Sequence, residues 1–298
     1  MLRAYGPNSD GSLVDPGKGQ RIPDDATWID LQEPTRDEDK LVEQCVRVQV
    51  PTREDLTEIE PSSRLYEDNG VLYMTLSALY GVEDGRPQID PIGFVLTENR
   101  LVTVRYVTPK PIRMLEHHAR RDKALVQDSL TALYSLLDAI IDRMADELEG
   151  VGSEIEKIST HIFHKNTEAR RIPADRLTAL LTRIGRTQIL LAKIRETAVS
   201  TGRLLSFLSG SAQLKSDKAA DVRDRIVSLS RDVRSLIDHS SFLADNLTFL
   251  LDASLGLISI EQNAAMKLFS WAALIFLPPT LIAAIYGILQ AGCAYVPV

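Results

Sequence analysis

Aspartates recur at seven-residue intervals near the end of the chain, at Asp238, Asp245 and Asp252. On a helix with a 3.5-residue hydrophobic repeat they share one stripe with Phe242, Phe249, Gly256, Ser259, Asn263, Met266, Ser270, Ala273, Leu277, Thr280 and Ala284. Carboxylates come first, then an amide and two hydroxyls on an otherwise apolar helix. Oxygen suits a hard cation: Mg²⁺ holds its ligands at about 2.0–2.1 Å and dehydrates reluctantly, so an oxygen-lined path accommodates its waters. If several copies surround an axis with this stripe inward, aspartate rings gather cations, with Asp245 and Asp252 the carboxylates nearest the mouth. Met266 and Leu277 are then apolar constrictions that gate by dewetting. The plainer alternative is that these aspartates are the solvated face of an amphipathic helix.

The element that must carry the stripe is read from its neighbour. Val222, Ile226, Leu229, Val233, Leu236, Ser240, Leu243, Leu247, Leu250, Ser254 and Leu257 follow steps of four and three without a slip. That period belongs to a helix packed along a supercoiled seam. The seam runs directly into residues 268–289, which contain no charge over 22 positions. Such a helix spans about 33 Å, the thickness of a bilayer's hydrocarbon core. Pro278 and Pro279 lie inside it, and membrane helices tolerate prolines when neighbours re-satisfy the backbone. One helix from Asp217 to Tyr286 is expected, about 105 Å long. A helix of that length needs partners, so the seam predicts a parallel homo-oligomer.

The rest of the chain places this helix behind a mixed α/β region. Trp28–Leu31, Arg64–Tyr66, Val71–Tyr80, Ile92–Leu96 and Leu101–Val107 read as strands, rich in β-branched and aromatic residues. Asn69-Gly70 marks a tight turn, and Thr35 with Glu38 forms a capping box before a helix. Helical spacing then covers 124–163 and 174–209, broken at Arg171-Ile172-Pro173, which predicts two antiparallel helices. The fold class expected is α+β. Its domains are an α/β domain over 1–120, a helical pair over 121–215, a stalk over 216–267, a membrane helix over 268–289 and an atypical tail over 290–298.

Bulk properties narrow the function. A net charge of −7 argues against a nucleic-acid partner. Cys45 and Cys293 are far apart and form no CxxC pair. His161 and His164 are three apart on a helix, but spacing supplies no third ligand. No GxGxxG, P-loop or nucleophile elbow occurs, so the chain reads as no enzyme, and transport follows the electrochemical gradient. The first residues lack an apolar signal region, which predicts a cytoplasmic N-terminal domain and an exoplasmic C-terminus.

Two stretches carry a family resemblance: Asn263-Ala264-Ala265-Met266-Lys267, and Phe276-Leu277-Pro278-Pro279-Thr280-Leu281-Ile282-Ala283-Ala284-Ile285-Tyr286-Gly287. Together they resemble the first transmembrane helix of the CorA family of divalent-cation transporters. Trp28-Ile29-Asp30-Leu31, Pro34-Thr35 and Ser63-Arg64-Leu65-Tyr66-Glu67 are similar to its N-terminal domain. The resemblance implies a homopentameric, funnel-shaped transporter in the cell membrane. Mg²⁺ is its cargo and a regulatory ligand, and Co²⁺ or Ni²⁺ are further substrates. It also implies pore-lining roles for Asp252, Asn263, Met266, Ser270, Leu277, Thr280 and Ala284.

Tyr286 and Gly287 are the remnant of the family's next motif, which continues Met-Asn where this chain has Ile288-Leu289. The expectation is that the last residues replace the family's ending, leaving out the motif asparagine and a second span. Two alternatives follow: a ZntB-like zinc transporter, which Ile288 leaves open, or a membrane-tethered scaffold that passes no ion.

Overall fold

The computed structural model describes residues 1–58, 60, 64–163, 174–215 and 219–293. A seven-stranded sheet runs in the order β2-β1-β3-β7-β6-β5-β4. Its strands are β1 (Leu2–Tyr5), β2 (Asp10–Val14), β3 (Trp28–Gln32), β4 (Leu65–Asp68), β5 (Val71–Tyr80), β6 (Gln88–Leu96) and β7 (Leu101–Arg105). All neighbours pair antiparallel except β3 and β7, which lie parallel with Trp28 opposite Leu101 and Gln32 opposite Arg105. The turn at Asn69-Gly70 has φ of 50° and 78°, the left-handed pair a tight hairpin needs.

Between the strands lie α1 (Arg36–Val46) and α2 (Arg53–Thr57), and after β7 comes α3 (Lys110–Ala119). Thr35 caps α1 through the expected box, its hydroxyl accepting from the Glu38 amide while the Glu38 side chain accepts from the Thr35 backbone. Alternation along the strands divides the sheet's faces. Leu2, Ala4, Ile29, Leu31, Val95, Val102 and Val104 form one core with Val42 of α1 and Leu56 of α2. α2 approaches so closely that a Cβ on Gly93 would lie 2.7 Å from Leu56 Cδ2.

Long helices follow: α4 (Ser129–Phe163), α5 (Ala174–Gly210), the short α6 (Ala212–Lys215) and α7 (Ala220–Cys293). The chain divides into two compact units. The first contains Met1–Glu156 and Gly185–Asn246; the second contains Lys157–Ile184 and the residues from Leu247 onward. In the first, α5 reaches the sheet through the Ser77 amide, which donates to Ser200 Oγ at 3.0 Å. Gln213 Nε2 of α6 donates to Gly70 O at 2.7 Å.

Several boundaries differ from the sequence expectation. The helix expected from 124 begins at Ser129, because Lys123–Val126 forms a 3₁₀ turn first. β7 stops at Arg105, where the chain bends toward Pro109 at the start of α3. The Arg64–Tyr66 strand is shifted to Leu65–Asp68, paired residue by residue with Val71–Met74. Ser63, His164, the Arg171–Pro173 break and Asp217 lie outside the described residues, as does the tail from residue 294.

Candidate functional site

On α7 the seam is buried and the stripe is not. Within the first unit Ile226, Leu229, Val233, Ser240 and Leu243 are buried, and within the second so are Leu247, Leu250 and Ser254. The two serines cost the seam little. Ser240 Oγ donates to Ile237 O and Ser254 Oγ to Leu250 O, both at 2.7 Å, so neither hydroxyl needs an outside partner.

The partner of the seam is this chain itself. A Cβ on Gly202 of α5 would meet Val233 Cγ1 at 3.4 Å, and one on Gly152 of α4 would meet Leu243 Cδ2 at 4.0 Å. On the neighbouring stripe, within the second unit, the ring of Phe163 lies over Phe249, with centroids 6.1 Å apart. Within the first unit the seam is thus covered by the chain's own helices. A 3.5-residue repeat demands a packed neighbour, and α4 and α5 supply it.

The stripe points elsewhere. Asp238, Asp245, Asp252, Gly256, Ser259 and Asn263 are all exposed. Phe242 and Phe249 are each 60% exposed, which is high for large apolar groups beside a well-packed seam. Above Leu257 burial no longer discriminates. Met266 and Leu277 are 65% and 63% exposed, but so are most of their neighbours, including Trp271 at 64%. The described part, Ala220–Gly287, is long and apolar enough to cross a bilayer, and none of its most apolar window is buried.

The hydroxyls of the upper stripe bond back to their own helix. Ser270 Oγ donates to Met266 O at 3.0 Å, and Thr280 Oγ1 donates to Phe276 O and Leu277 O at 2.8 and 2.9 Å. The hydroxyl proton is thus committed to the helix, and the oxygen lone pairs stay open as acceptors. Asn263, Ala284, Tyr286 and Gly287 are exposed along the same helix. The helix continues through Pro278 and Pro279, which have no amide to give to the carbonyls of Leu274 and Ile275.

Away from the stripe, two cavities open in the first unit. One of about 550 Å³ is lined by Tyr80, Glu83, Arg86, Lys110 and Arg113 among others. There Glu83 accepts from Arg143 Nη2 at 2.9 Å and pairs with Lys110 at 3.4 Å. The second, about 300 Å³, includes His118, Tyr134, Asp138, Asp142 and Asp146. Burial pushes the Asp138 carboxyl above the usual range, and Asp142 and Asp232 add to the push. No stripe residue lines either cavity. Among the described residues no three His, Cys, Asp or Glu side chains converge to hold a metal.

The sequence reading missed a buried charge cluster on the sheet face opposite the main core. Arg105 Nη2 donates to Asp30 Oδ2 and to Glu116 Oε1 of α3, each at 2.8 Å. Arg105 Nε bridges both Asp30 oxygens at 3.1 and 3.2 Å, and Thr103 Oγ1 donates to Asp30 Oδ1 at 2.6 Å. Trp28 Nε1 in turn donates to Thr103 Oγ1 at 3.0 Å, and the Trp28 ring stacks on Tyr5 at 4.4 Å. The available signal was the pair of charges in two strands that otherwise read as buried, Asp30 in WIDL and Arg105 in LVTVRYV.

The comparisons agree in direction. The sequence profile described as "CorA-like Mg2+ transporter protein" matches residues 23–288. The magnesium transport protein CorA of Salmonella typhimurium is 30% identical over 263 residues, covering 88% of this chain and 80% of that protein. The fold resembles the complete CorA magnesium transporter from Methanocaldococcus jannaschii, with a TM-score of 0.73 at 20% identity over 96% of this chain and 86% of that one. It also resembles the ZntB cytoplasmic domain from Vibrio parahaemolyticus, with a TM-score of 0.51 at 12% identity over 76% of this chain and 87% of that one.

Proposed function

The chain belongs to the CorA-like Mg²⁺ transporter family, and from that premise we propose that it is a subunit of an oligomeric pore for divalent cations with Mg²⁺ as cargo. One observation carries the reading. Along the lower half of α7 the seam is covered by the chain's own helices, while the neighbouring stripe, with Asp238, Asp245 and Asp252, is left exposed together with Phe242 and Phe249. A face that combines carboxylates with largely exposed aromatic rings suits contact with further copies around an axis, and a pentamer is the arrangement the family resemblance implies.

In that assembly α7 lines the path. Asp245 and Asp252 ring its approach and raise the local cation concentration. Asn263, Ser270 and Thr280 offer amide and hydroxyl oxygens to the ion's water shell, Met266 and Leu277 narrow the path, and Ala284 leaves it open. The N-terminal α/β region lies on the cytoplasmic side. Lys267 flanks the span on that side, as the positive-inside rule requires.

The test is Mg²⁺ entry into vesicles reconstituted with the purified full chain and loaded with a Mg²⁺-sensitive dye. Influx down the gradient, reduced by Asp252→Ala, supports the pore. A folded, oligomeric protein that passes no divalent ion would instead be a tethered scaffold. Entry of Zn²⁺ in place of Mg²⁺ would move the chain to the ZntB-like reading.

A further inference from the structure

Two carboxylates and one guanidinium meet on the α3 side of the sheet, and they do not balance. Asp30 is 0% and Arg105 1% exposed at the side chain, and Glu116 only 14%. A single nitrogen, Arg105 Nη2, serves both acids at 2.8 Å. The other guanidinium groups are already engaged: Nε with Asp30, and Nη1 with Val107 O and Thr108 Oγ1 at 2.9 and 3.0 Å. With all three groups ionised the cluster holds one uncompensated negative charge in a site of low polarisability, which is costly.

Among the described residues, the cations of the surrounding elements offset only part of that charge. β1 brings Arg3, whose guanidinium contacts Gly11 O and Met1 Sδ, and Tyr5, whose buried hydroxyl has no hydrogen-bond partner. α3 also packs against β2 and the 3₁₀ turn. β2 offers Asp10, bound to Ser12, and the turn offers Lys123, which donates to Ser9 O at 2.9 Å. Arg120, at the end of α3, acts on Tyr5.

We propose that Asp30, Arg105 and Glu116 form a proton-operated latch, in which one proton taken up by Glu116 fastens α3 to the sheet, so that mild acid tightens this part of the domain. Loaded with a proton, Glu116 becomes a donor as well as an acceptor, and the cluster reduces to the balanced Asp30–Arg105 pair. Burial, and then Asp30, raises the Glu116 carboxyl above the ordinary range, with Arg105 and Arg3 offsetting only part of that. Because folding raises this pKa, the stabilisation is fully present below the unfolded value and is lost as pH rises through the folded one. Glu38 and Glu83, both lowered on folding, respond in the opposite sense, so the readout must be local to α3.

The measurement is amide hydrogen exchange of peptides covering α3 in the detergent-solubilised full chain, normalised for the intrinsic pH dependence of exchange. On acidification from neutral pH toward the ordinary carboxylate range, protection of α3 should rise roughly three- to tenfold in the native sequence. In Glu116→Gln, whose amide donates without a charge, protection should be high and flat across that range. The latch is overturned if native protection stays level or falls on acidification. It is equally overturned if Glu116→Gln keeps the native pH response, or loses protection at both ends of that range. Asp138, also raised and beside α3, is controlled by Asp138→Asn, which should keep the native pH response. Should Glu116→Gln fail to fold, loss of the response in Asp138→Asn overturns the latch.

Discussion

The molecule holds two sets of charged residues in opposite circumstances. Asp30, Arg105 and Glu116 are enclosed, and nearly every polar atom among them has a partner within the chain. Asp238, Asp245 and Asp252 stand exposed on α7, with Phe242 and Phe249 between them. The enclosed set fixes the sheet to α3. Charges in the open set make no comparable contacts within the single chain among the described residues. Burial therefore separates residues that hold the fold from residues available to act, and it does so only where the chain supplies its own neighbours.

The sharpest way to break this contrast is to remove the central cation of the enclosed set. Arg105→Met strands Asp30 in the interior and should cost about 3–5 kcal/mol, enough to abolish cooperative unfolding of the N-terminal domain by circular dichroism. Next in size is the seam. Leu243→Ala should cost about 2–5 kcal/mol in chemical denaturation, whereas Phe242→Ala, one residue away on the exposed face, should change unfolding by less than about 0.5 kcal/mol. Equal losses from the two would erase the distinction between seam and stripe. Thr35→Ala removes half of the α1 capping box and should cost about 1 kcal/mol.

Smallest in stability, yet largest in activity, is the open set. Asp252→Ala should leave thermal unfolding unchanged and slow Mg²⁺ entry at low ionic strength by roughly tenfold, with the deficit shrinking as salt screens the ring. Arg234→Ala, at an exposed position of the same helix, is the matched control. If both substitutions alter entry alike, the stripe is a solvated face and nothing more.

Much of this was legible from local signals. Val71–Tyr80 forms a strand with the bounds its composition indicates, and the Thr35 box and the Asn69-Gly70 turn are where short-range rules place them. The β1–β2 hairpin was not legible. Its outer strand mixes exposed and buried positions without alternation, and a register shift falls between Ala4 and Tyr5. The Arg105 cluster was hidden for another reason: its partner Asp30 is remote in sequence, and a lone charge in LVTVRYV satisfies strand alternation equally well as a surface residue. The period of the seam was legible but its intrachain neighbours α4 and α5 were not, because heptads specify that a helix packs and not which helix it packs against.

The parallel pairing of β3 with β7 has a consequence for how the domain is made. β4, β5, β6 and β7 join by short connections, and β1 pairs with β2 and β3 near the start of the chain, so each half of the sheet assembles from local contacts. The ladder between Trp28–Gln32 and Leu101–Arg105 is the one closure that spans most of the domain's sequence. During synthesis β3 must therefore wait with one edge unpaired until β7 emerges, which makes this the slow step and the moment of greatest exposure to wrong pairing. Asp30 and Arg105 meet diagonally across that same ladder. A carboxylate on the waiting edge discourages association with apolar strands of other chains, and the arrival of the guanidinium seals the joint.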